Sequence, residues 1–140
     1  MATPTSECLS THQVGDAEVT LILEGSGPFP VELNVSEAIW RPAVPEADAD
    51  GMVTMSSGGA FIRIGKASIV VDPGLDDPGT PAARVTETVF AGWQFTRGFQ
   101  AGLAEMGVQN EAVTHVVITH AHFDHCLGVA VERDGVMVPR

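Results

Sequence analysis

The sequence has few basic residues and few cysteines, and each shortage argues against a class of function. Its 140 residues include seven Lys or Arg and eighteen Asp or Glu, which gives a formal net charge of −11. An acidic surface repels phosphate backbones and anionic lipids, so we expect neither a nucleic acid nor a membrane as a partner. The two cysteines, Cys8 and Cys126, lie far apart in the chain and form no CxxC pair. They therefore predict no disulfide framework.

Long apolar runs and several common motifs are also missing. No apolar segment approaches the length of a membrane span. The opening MATPTSECLSTHQ has neither the basic nor the apolar region of a signal peptide, so we expect a reducing, cytoplasmic location. No GxSxG elbow surrounds Ser56 or Ser57, which argues against serine hydrolysis. No GxGxxG or GK[ST] pattern surrounds Gly58, which argues against a phosphate loop.

Strand signals dominate the first half of the chain. Hydrophobic residues make up 44% of the sequence, enough for one core in one domain. Residues 17–25, AEVTLILEG, predict a strand. Residues 28–50 contain four prolines and predict a connector with a short turn around 36–40. The apolar segments 60–64 and 67–71 are separated by two residues and predict a β-hairpin.

A helix and another strand follow. Four apolar residues recur at i, i+4, i+8 and i+11, namely Phe95, Phe99, Leu103 and Met106. This spacing predicts a helix over residues 94–106, with Gly107 as its C-cap. Residues 113–120, VTHVVITH, then predict a short buried strand. The order strand–strand–turn–helix–strand predicts an α/β fold.

The stretch THAHFDHCLG, at residues 119–128, places three histidines and an aspartate within six positions. In an extended chain, residues two apart point to the same side, so His120 and His122 can approach one cation. A turn after His122 would bring Asp124 and His125 to a second, adjacent position. Imidazole and carboxylate suit Zn²⁺, and also Fe or Mn where oxygen ligands increase. The stretch therefore predicts a metal site at the end of a strand.

THAHFDH resembles the HxHxDH signature of the metallo-β-lactamase superfamily, and VTHVVITH resembles the strand that precedes it. The upstream VVDPG resembles the family's Asp-containing turn. The opening VGDAEVTLILEG is similar to the start of the branch that holds N-acyl-homoserine lactonases and methyl parathion hydrolase. The resemblance implies an α/β fold that corresponds to the N-terminal half of an αββα sandwich, over residues 1–140.

By position, the resemblance implies that His120 and His122 bind one metal ion and that Asp124 and His125 bind a second. Two Zn²⁺ ions are implied for the complete domain, with Fe or Mn as alternatives. Asp72 would order the ligand loop from behind the ligands. In the family, a hydroxide between the two metals attacks a carbonyl or phosphoryl centre, and Asp124 would also steer the proton of this nucleophile. The implied activity is hydrolysis of a small-molecule lactone, ester or phosphotriester.

The resemblance also implies three later ligands, a histidine, a bridging aspartate and a final histidine, which we do not find. No histidine follows His125, and Asp134 lies in a predicted Asp134-Gly135 turn. We therefore expect a partial domain, truncated at its C-terminus, of a longer hydrolase. Three alternatives stay open. The chain could be completed by another chain or a second copy, could be a non-catalytic metal-binding or interaction fragment, or could be a redox or thioester-hydrolysing relative on the same fold.

Several other residues are predicted to lie outside the metal site. His12 occurs in a polar stretch, and the spacing of His115 from the ligands places it on the opposite side of an ideal strand. We expect Cys126 to be a small apolar filler beside the ligands and Cys8 to lie in a mobile tail. Trp40 lies in the proline-rich connector, where a role in a substrate pocket stays open.

Overall fold

The fold is built on a six-stranded sheet with short helices around it. The computed structural model describes residues 7–140. The strands β1 to β8 are, in chain order, Leu9–Val14, Ala17–Pro30, Met52–Ile64, Ala67–Val71, Gln94–Phe95, His115–Val117, Ala130–Arg133 and Val136–Pro139. The sheet has the order β1-β2-β3-β4-β6, with β5 paired to β2, and a separate hairpin contains β7 and β8. The helices α1 to α4 are Glu37–Trp40, Ala83–Val89, Phe99–Glu105 and Phe123–Cys126, with 3₁₀ turns at Arg41–Ala43, Asn110–Ala112 and Leu127–Val129.

The first four strands form an antiparallel meander, and the predicted β3–β4 hairpin is confirmed. Phe61 pairs with Val70 across this hairpin. Gly65 in its two-residue turn has φ +57°, a conformation that glycine adopts without steric cost. Both β2 and β3 are longer than predicted, because their pairing continues beyond a register shift between Leu23 and Gly25.

Strand β6 pairs with β4 in parallel, in the register Val70 opposite Val116. Parallel neighbours need a crossover connection, and here α2, β5 and α3 supply it. The crossover returns the chain so that β4 and β6 end at the same edge of the sheet. This topology brings Asp72, just after β4, to the segment that follows β6.

Helix α3 covers one face of the sheet and completes the core. The predicted apolar stripe is confirmed at Phe99 and Leu103, which are buried, while Met106 packs against them from the side. They contact the sheet residues Ile22 and Phe61 within one hydrophobic cluster. Burying side chains of this size contributes about 1.5–3 kcal/mol each.

The predicted start of the helix at residue 94 is wrong. Phe95 pairs with Gly25 of β2, so Gln94–Phe95 is a strand and the helix begins at Phe99. A side chain on Gly25 would overlap the Phe95 ring, so the absence of one permits this close pairing. Gly98 then has an extended backbone as the N-cap. The local apolar spacing was therefore overridden by pairing with a distant strand.

The predicted buried strand over residues 113–120 is also wrong in its length and burial. β6 contains three residues, and Val116 and Val117 are 52% and 45% exposed. The reason is its position at the sheet's edge, where β4 is its neighbour and little of the described chain covers it.

The prediction of a mobile tail at Cys8 is not supported. The Cys8 carbonyl oxygen accepts a hydrogen bond of 2.8 Å from the Leu23 N–H, and the β1 strand that follows was not predicted. Trp40 is buried at the end of α1, where the Arg41 guanidinium lies 5.0 Å from its ring centre. It therefore packs within the connector. Among residues 7–140, no helix is long and apolar enough to cross a membrane.

Candidate metal site

The predicted ligands lie where β4 and β6 end side by side. The Asp72 N–H donates a hydrogen bond of 2.9 Å to the Val117 carbonyl oxygen, which continues the pairing of these strands by one residue. Thr119 and the histidines follow immediately. Ligand sites in sheets of parallel strands commonly form at these carboxyl ends.

Asp72 anchors the loop that carries the ligands. Its Oδ1 accepts a hydrogen bond of 2.7 Å from the Thr119 N–H, and its Oδ2 accepts one of 2.6 Å from the Thr119 hydroxyl. The same Oδ2 lies 3.0 Å from His125 Nδ1. Burial acts to raise the pKa of the Asp72 carboxyl, but these hydrogen bonds and the His125 ring together lower that pKa below its ordinary value of 3.8. Asp72 therefore acts as an ionised acceptor.

Proton positions on two of the histidine rings, those of His120 and His125, follow from this acceptor. Thr119 has one hydroxyl proton, which Asp72 accepts, so the His120 Nδ1–H donates to Thr119 Oγ1 at 3.0 Å. His122 Nδ1 lies 3.1 Å from His120 Nε2, and the His125 Nδ1–H donates to Asp72. The His125 ring thus carries its proton on Nδ1, which leaves its Nε2 unprotonated, the form that binds metal. His120 Nε2 and His122 Nδ1 face each other and share one proton, which a bound cation would replace.

Helix α4 places the remaining carboxylate beside the rings. His122 is the N-cap residue of α4, and the His122 carbonyl oxygen accepts a hydrogen bond of 3.0 Å from the His125 N–H. Asp124 Oδ2 lies 3.5 Å from His125 Nε2. With the His125 proton on Nδ1, a ring lone pair and a carboxylate oxygen face each other, an arrangement that a cation between them stabilises. The chemistry of the donors therefore fits a divalent metal ion.

The structure brings all five predicted site residues into one connected group. The ring centres of His120 and His125 are 4.0 Å apart, and those of His120 and His122 are 4.6 Å apart. Within residues 7–140, however, no three side chains of the His, Cys, Asp or Glu type are arranged to hold one metal ion. The assignment of two donors to each of two ions stays a prediction.

Cys126 bonds to the N-cap residue of α4, and Phe123 packs this short helix against the crossover. The Cys126 Sγ–H donates a hydrogen bond of 3.2 Å to the His122 carbonyl oxygen, so this half-buried thiol has a polar contact, and its role as an apolar filler stays a prediction. The Phe123 ring lies 5.6 Å from that of Phe90, which also contacts Trp93 and Phe95. These aromatic contacts hold α4 against the crossover.

The two residues judged unsuitable as ligands lie outside this group. His12 is exposed in β1, where its Nε2 lies 2.9 Å from the Ser10 hydroxyl. His115 begins β6, and its Nδ1 lies 2.8 Å from the Thr114 hydroxyl. Both therefore have local polar partners away from the predicted ligands.

Two glycines allow the turn over residues 72–75, which carries Asp72, and the ligand loop over residues 119–125 to pack closely. The Gly128 N–H donates a hydrogen bond of 3.0 Å to the Gly74 carbonyl oxygen. A Cβ atom on Gly128 would overlap the Pro73 carbonyl oxygen, so only glycine permits this approach. The turn that holds Asp72 is thereby joined to the segment that follows the ligands.

A cavity of about 500 Å³ adjoins the Asp72 turn. Its lining includes small and apolar residues of β2 and β3, such as Leu21, Leu23 and Ala60, together with Asp72. His120, His122, Asp124 and His125 do not line it. The cavity is therefore a neighbour of the ligand loop and does not contain the predicted ligands.

Sequence reasoning missed one acidic residue below the turn, Glu24. It is buried, and its Oε1 accepts a hydrogen bond of 2.7 Å from the Leu75 N–H. A signal was present in the sequence, because Glu24 falls two residues after the core residue Ile22 at an inward position of a strand. A charged residue at such a position is uncommon unless it is paired.

Comparison with known proteins gives a family and a fold. The family model described as the metallo-beta-lactamase superfamily matches residues 60–135, more than half of the chain. Among curated proteins, none matches this chain. Among solved structures, the hydrolase AbOPH in the beta lactamase superfamily aligns with a TM-score of 0.67 at 23% identity. That alignment covers 95% of this chain and 42% of AbOPH.

Two further solved structures align in the same way. A probable metal-dependent hydrolase from Staphylococcus aureus has a TM-score of 0.65 at 17% identity, covering 84% of this chain and 42% of that one. AidC, a dizinc quorum-quenching lactonase solved with a product, has a TM-score of 0.59 at 19% identity, covering 86% and 38%. The chain thus spans about two fifths of the length of these structures. The likeness confirms the predicted α/β fold class.

Proposed function

Because the chain belongs to the metallo-β-lactamase superfamily, we propose that it supplies part of the active site of a metal-dependent hydrolase. The observation that carries this proposal is the hydrogen-bonded chain from His122 through His120 and Thr119 to Asp72, which His125 also joins. It leaves Nε2 of His125 unprotonated beside the Asp124 carboxylate and brings Nε2 of His120 within 3.1 Å of Nδ1 of His122. The superfamily's hydrolase members support the general activity.

Each donor has a distinct role in this proposal. His120 and His122 would hold one ion, and Asp124 and His125 would hold a second. Bound divalent ions would polarise the substrate's oxygen and lower the pKa of water. Asp124, with one carboxylate oxygen facing His125 Nε2, would also accept and steer the proton of the attacking water. Asp72 would keep the His125 ring in the orientation that presents Nε2.

We propose zinc as the metal, with iron or manganese as alternatives. Three imidazoles and one carboxylate are a donor set that suits zinc, and AidC is described as a dizinc enzyme. The substrate would be a small molecule with a lactone, ester or phosphotriester group, of which the AidC lactone is one kind.

The proposal also concerns the rest of the site and its setting. Residues 1–140 would form a partial domain, and the remaining ligands would come from further chain, from a second copy or from another protein.

A cytoplasmic location is consistent with two free cysteines, Cys8 and Cys126. The net charge of −11 supports the absence of nucleic acid and membrane partners.

Metal content tests the proposed ligands directly. The purified 140-residue chain is loaded with zinc, dialysed and measured by mass spectrometry, alongside His122→Ala and the matched control His12→Ala. We expect zinc in the wild type and in His12→Ala, reduced zinc in His122→Ala, and loss of zinc from all three after EDTA. Equal zinc in both variants would contradict the assignment of His122.

Turnover separates this proposal from a second candidate function. The absence, within residues 7–140, of three donors arranged around one point favours a non-catalytic metal-binding fragment. Hydrolysis of a lactone and a phosphotriester is therefore measured with and without EDTA. EDTA-sensitive turnover that His122→Ala abolishes supports the hydrolase. Zinc binding without turnover in the 140-residue chain favours the fragment, and the same assay on a longer or completed protein then decides the hydrolase proposal.

A further inference from the structure

Glu24 is a buried carboxyl group that the proposed chemistry does not use. The residue is 0% exposed at the point where the β2–β3 register shifts. Its Oε1 accepts the Leu75 N–H at 2.7 Å, while no hydrogen-bond partner for Oε2 occurs within residues 7–140. Burying a carboxyl group with one oxygen unpaired costs free energy, so its position calls for an explanation.

The carboxyl group packs directly against the turn that follows Asp72. Gly74 has φ +56°, and a Cβ atom there would overlap both Glu24 carboxyl oxygens. The glycine therefore provides both the backbone conformation and the space for the acid. The N–H of Leu75, one residue further on, donates the hydrogen bond that Glu24 Oε1 accepts.

This turn continues into the predicted metal site. Asp72 lies two residues before Gly74 and has φ +47°, an uncommon conformation for a residue with a side chain. Its carboxylate orients Thr119 and His125. A shift of the turn would move this acceptor and release the His125 Nδ1–H.

We propose that Glu24 is a positioning residue that supports the 72–75 turn from below, so that Asp72 holds the His125 ring with its Nε2 free. The relevance of this role to a metal rests on the proposed function. The hydrogen bond between Glu24 and Leu75, and the turn that connects Leu75 to Asp72, belong to the fold of this chain and can be tested without a metal.

The electrostatic setting agrees with this role. The pKa of Glu24 is raised to about 8, chiefly by burial and to a smaller extent by the Asp124 and Asp77 carboxylates, against the opposing effect of the Leu75 and Phe99 N–H groups. At neutral pH the group is mostly a neutral acid. It can therefore hold the turn without adding a third negative charge beside Asp124 and Asp77.

The test reads the tautomer of His125 from its ring ¹⁵N chemical shifts in the metal-free 140-residue chain at neutral pH. His125→Gln assigns the signals. Glu24→Leu removes the acceptor at similar volume, and Glu24→Gln keeps an oxygen for the Leu75 N–H. Thr20→Val is the matched control, because Thr20 is buried in the same strand and loses only its 2.9 Å contact with Thr11.

We expect the wild type, Glu24→Gln and Thr20→Val to show His125 protonated on Nδ1. Glu24→Leu should shift the ring toward the mixture of tautomers found in an unrestrained histidine. A folded Glu24→Leu chain with wild-type His125 signals would overturn the proposal, as would an equal shift in Thr20→Val. If Glu24→Leu does not fold, Glu24→Asp, which withdraws the carboxyl group from Leu75, decides by the same signals.

Failure of this inference differs from failure of the proposed function. Zinc is absent from the tautomer measurement, so a wild-type chain that binds no zinc leaves its result unchanged. Conversely, zinc uptake that depends on His122 would stand even if Glu24 had no effect on His125.

Discussion

Asp72 and His125 are 53 residues apart in the chain, and their Oδ2 and Nδ1 atoms lie 3.0 Å from each other. The parallel pairing of β4 with β6 makes this contact, because it brings the two strand ends to one edge. The contact fixes which nitrogen of His125 carries the proton. A turn at the end of β4 thus sets the tautomer of a histidine in the loop that follows β6.

Replacing Asp72 with Asn should weaken both the fold and zinc binding. The amide keeps one acceptor oxygen, but its NH₂ group then faces a Thr119 or His125 donor, so a buried hydrogen bond is lost at a cost of about 1–3 kcal/mol. Loss of a carboxylate behind a metal-binding histidine lowers metal affinity by roughly 10–100-fold. Calorimetric zinc titration and urea unfolding measure the two effects.

The control for this change is Asp16→Asn, the same substitution at an exposed turn. It should leave zinc affinity and stability within error of the wild type. Wild-type zinc affinity in a folded Asp72→Asn chain would show that the Asp72–His125 contact does not support the site.

Acid should remove the contribution of Asp72 to stability. Its pKa is lowered in the folded state from an ordinary value of 3.8, so the folded state binds this proton more weakly than the unfolded state. The stabilisation is present above 3.8 and is lost as pH falls through the folded-state pKa. The difference in unfolding free energy between wild type and Asp72→Asn should therefore shrink below pH 3.8, and a constant difference would contradict this assignment.

Glu24 should give the opposite pH dependence. Its pKa rises from 4.5 to about 8 on folding, so between these values the folded state binds more protons than the unfolded state. The unfolding free energy should fall across this range by up to about 1.4 kcal/mol per pH unit. Glu24→Gln should flatten this slope, whereas Glu132→Gln, at an exposed strand position, should not. An unchanged slope in Glu24→Gln would refute the raised pKa.

Patterns local in sequence predicted the features that depend on neighbouring residues. The β3–β4 hairpin was predicted from two apolar segments and its glycine turn, and the stripe of Phe99 and Leu103 was predicted from helical spacing. HxHxDH was sufficient to identify the family. The predicted fold, the N-terminal half of an αββα sandwich, agrees with alignments that cover only part of the larger relatives.

Features that depend on distant partners were not predictable in this way. Phe95 fits the helical stripe, yet its pairing with Gly25 makes it a strand residue. The apolar sequence of β6 predicted burial, but its exposure depends on how many neighbours the sheet provides. Glu24 could be interpreted only once the 72–75 turn was seen to lie against it.

Leu103→Ala should destabilise the chain by about 2–5 kcal/mol, because it leaves a cavity between α3 and the sheet. Leu103 is 1% exposed and packs in the cluster with Ile22 and Phe61. Thermal unfolding measures the loss. Val85→Ala, at a residue 54% exposed, is the control and should stay within about 0.5 kcal/mol of the wild type. Similar losses in the two variants would mean that α3 does not cover the core.

Gly128→Ala should disturb the ligand loop through the backbone alone. Its Cβ would overlap the Pro73 carbonyl oxygen, and because that atom is backbone, the 72–75 turn or the loop must move. We expect the free energy of unfolding to fall by about 1–3 kcal/mol and zinc binding to weaken. Urea unfolding and zinc titration measure the two effects.

Gly15→Ala separates this overlap from the ordinary cost of replacing glycine. Gly15 has φ +59° and no heavy atom within 4 Å of the added Cβ. Gly15→Ala should therefore lower the free energy of unfolding by about 1–2 kcal/mol, only because alanine disfavours a left-handed backbone. The two variants can therefore lose similar stability, but only Gly128→Ala should lose zinc affinity. If Gly128→Ala folds and binds zinc as tightly as Gly15→Ala, close packing of the Asp72 turn against the loop is not what orders the ligands.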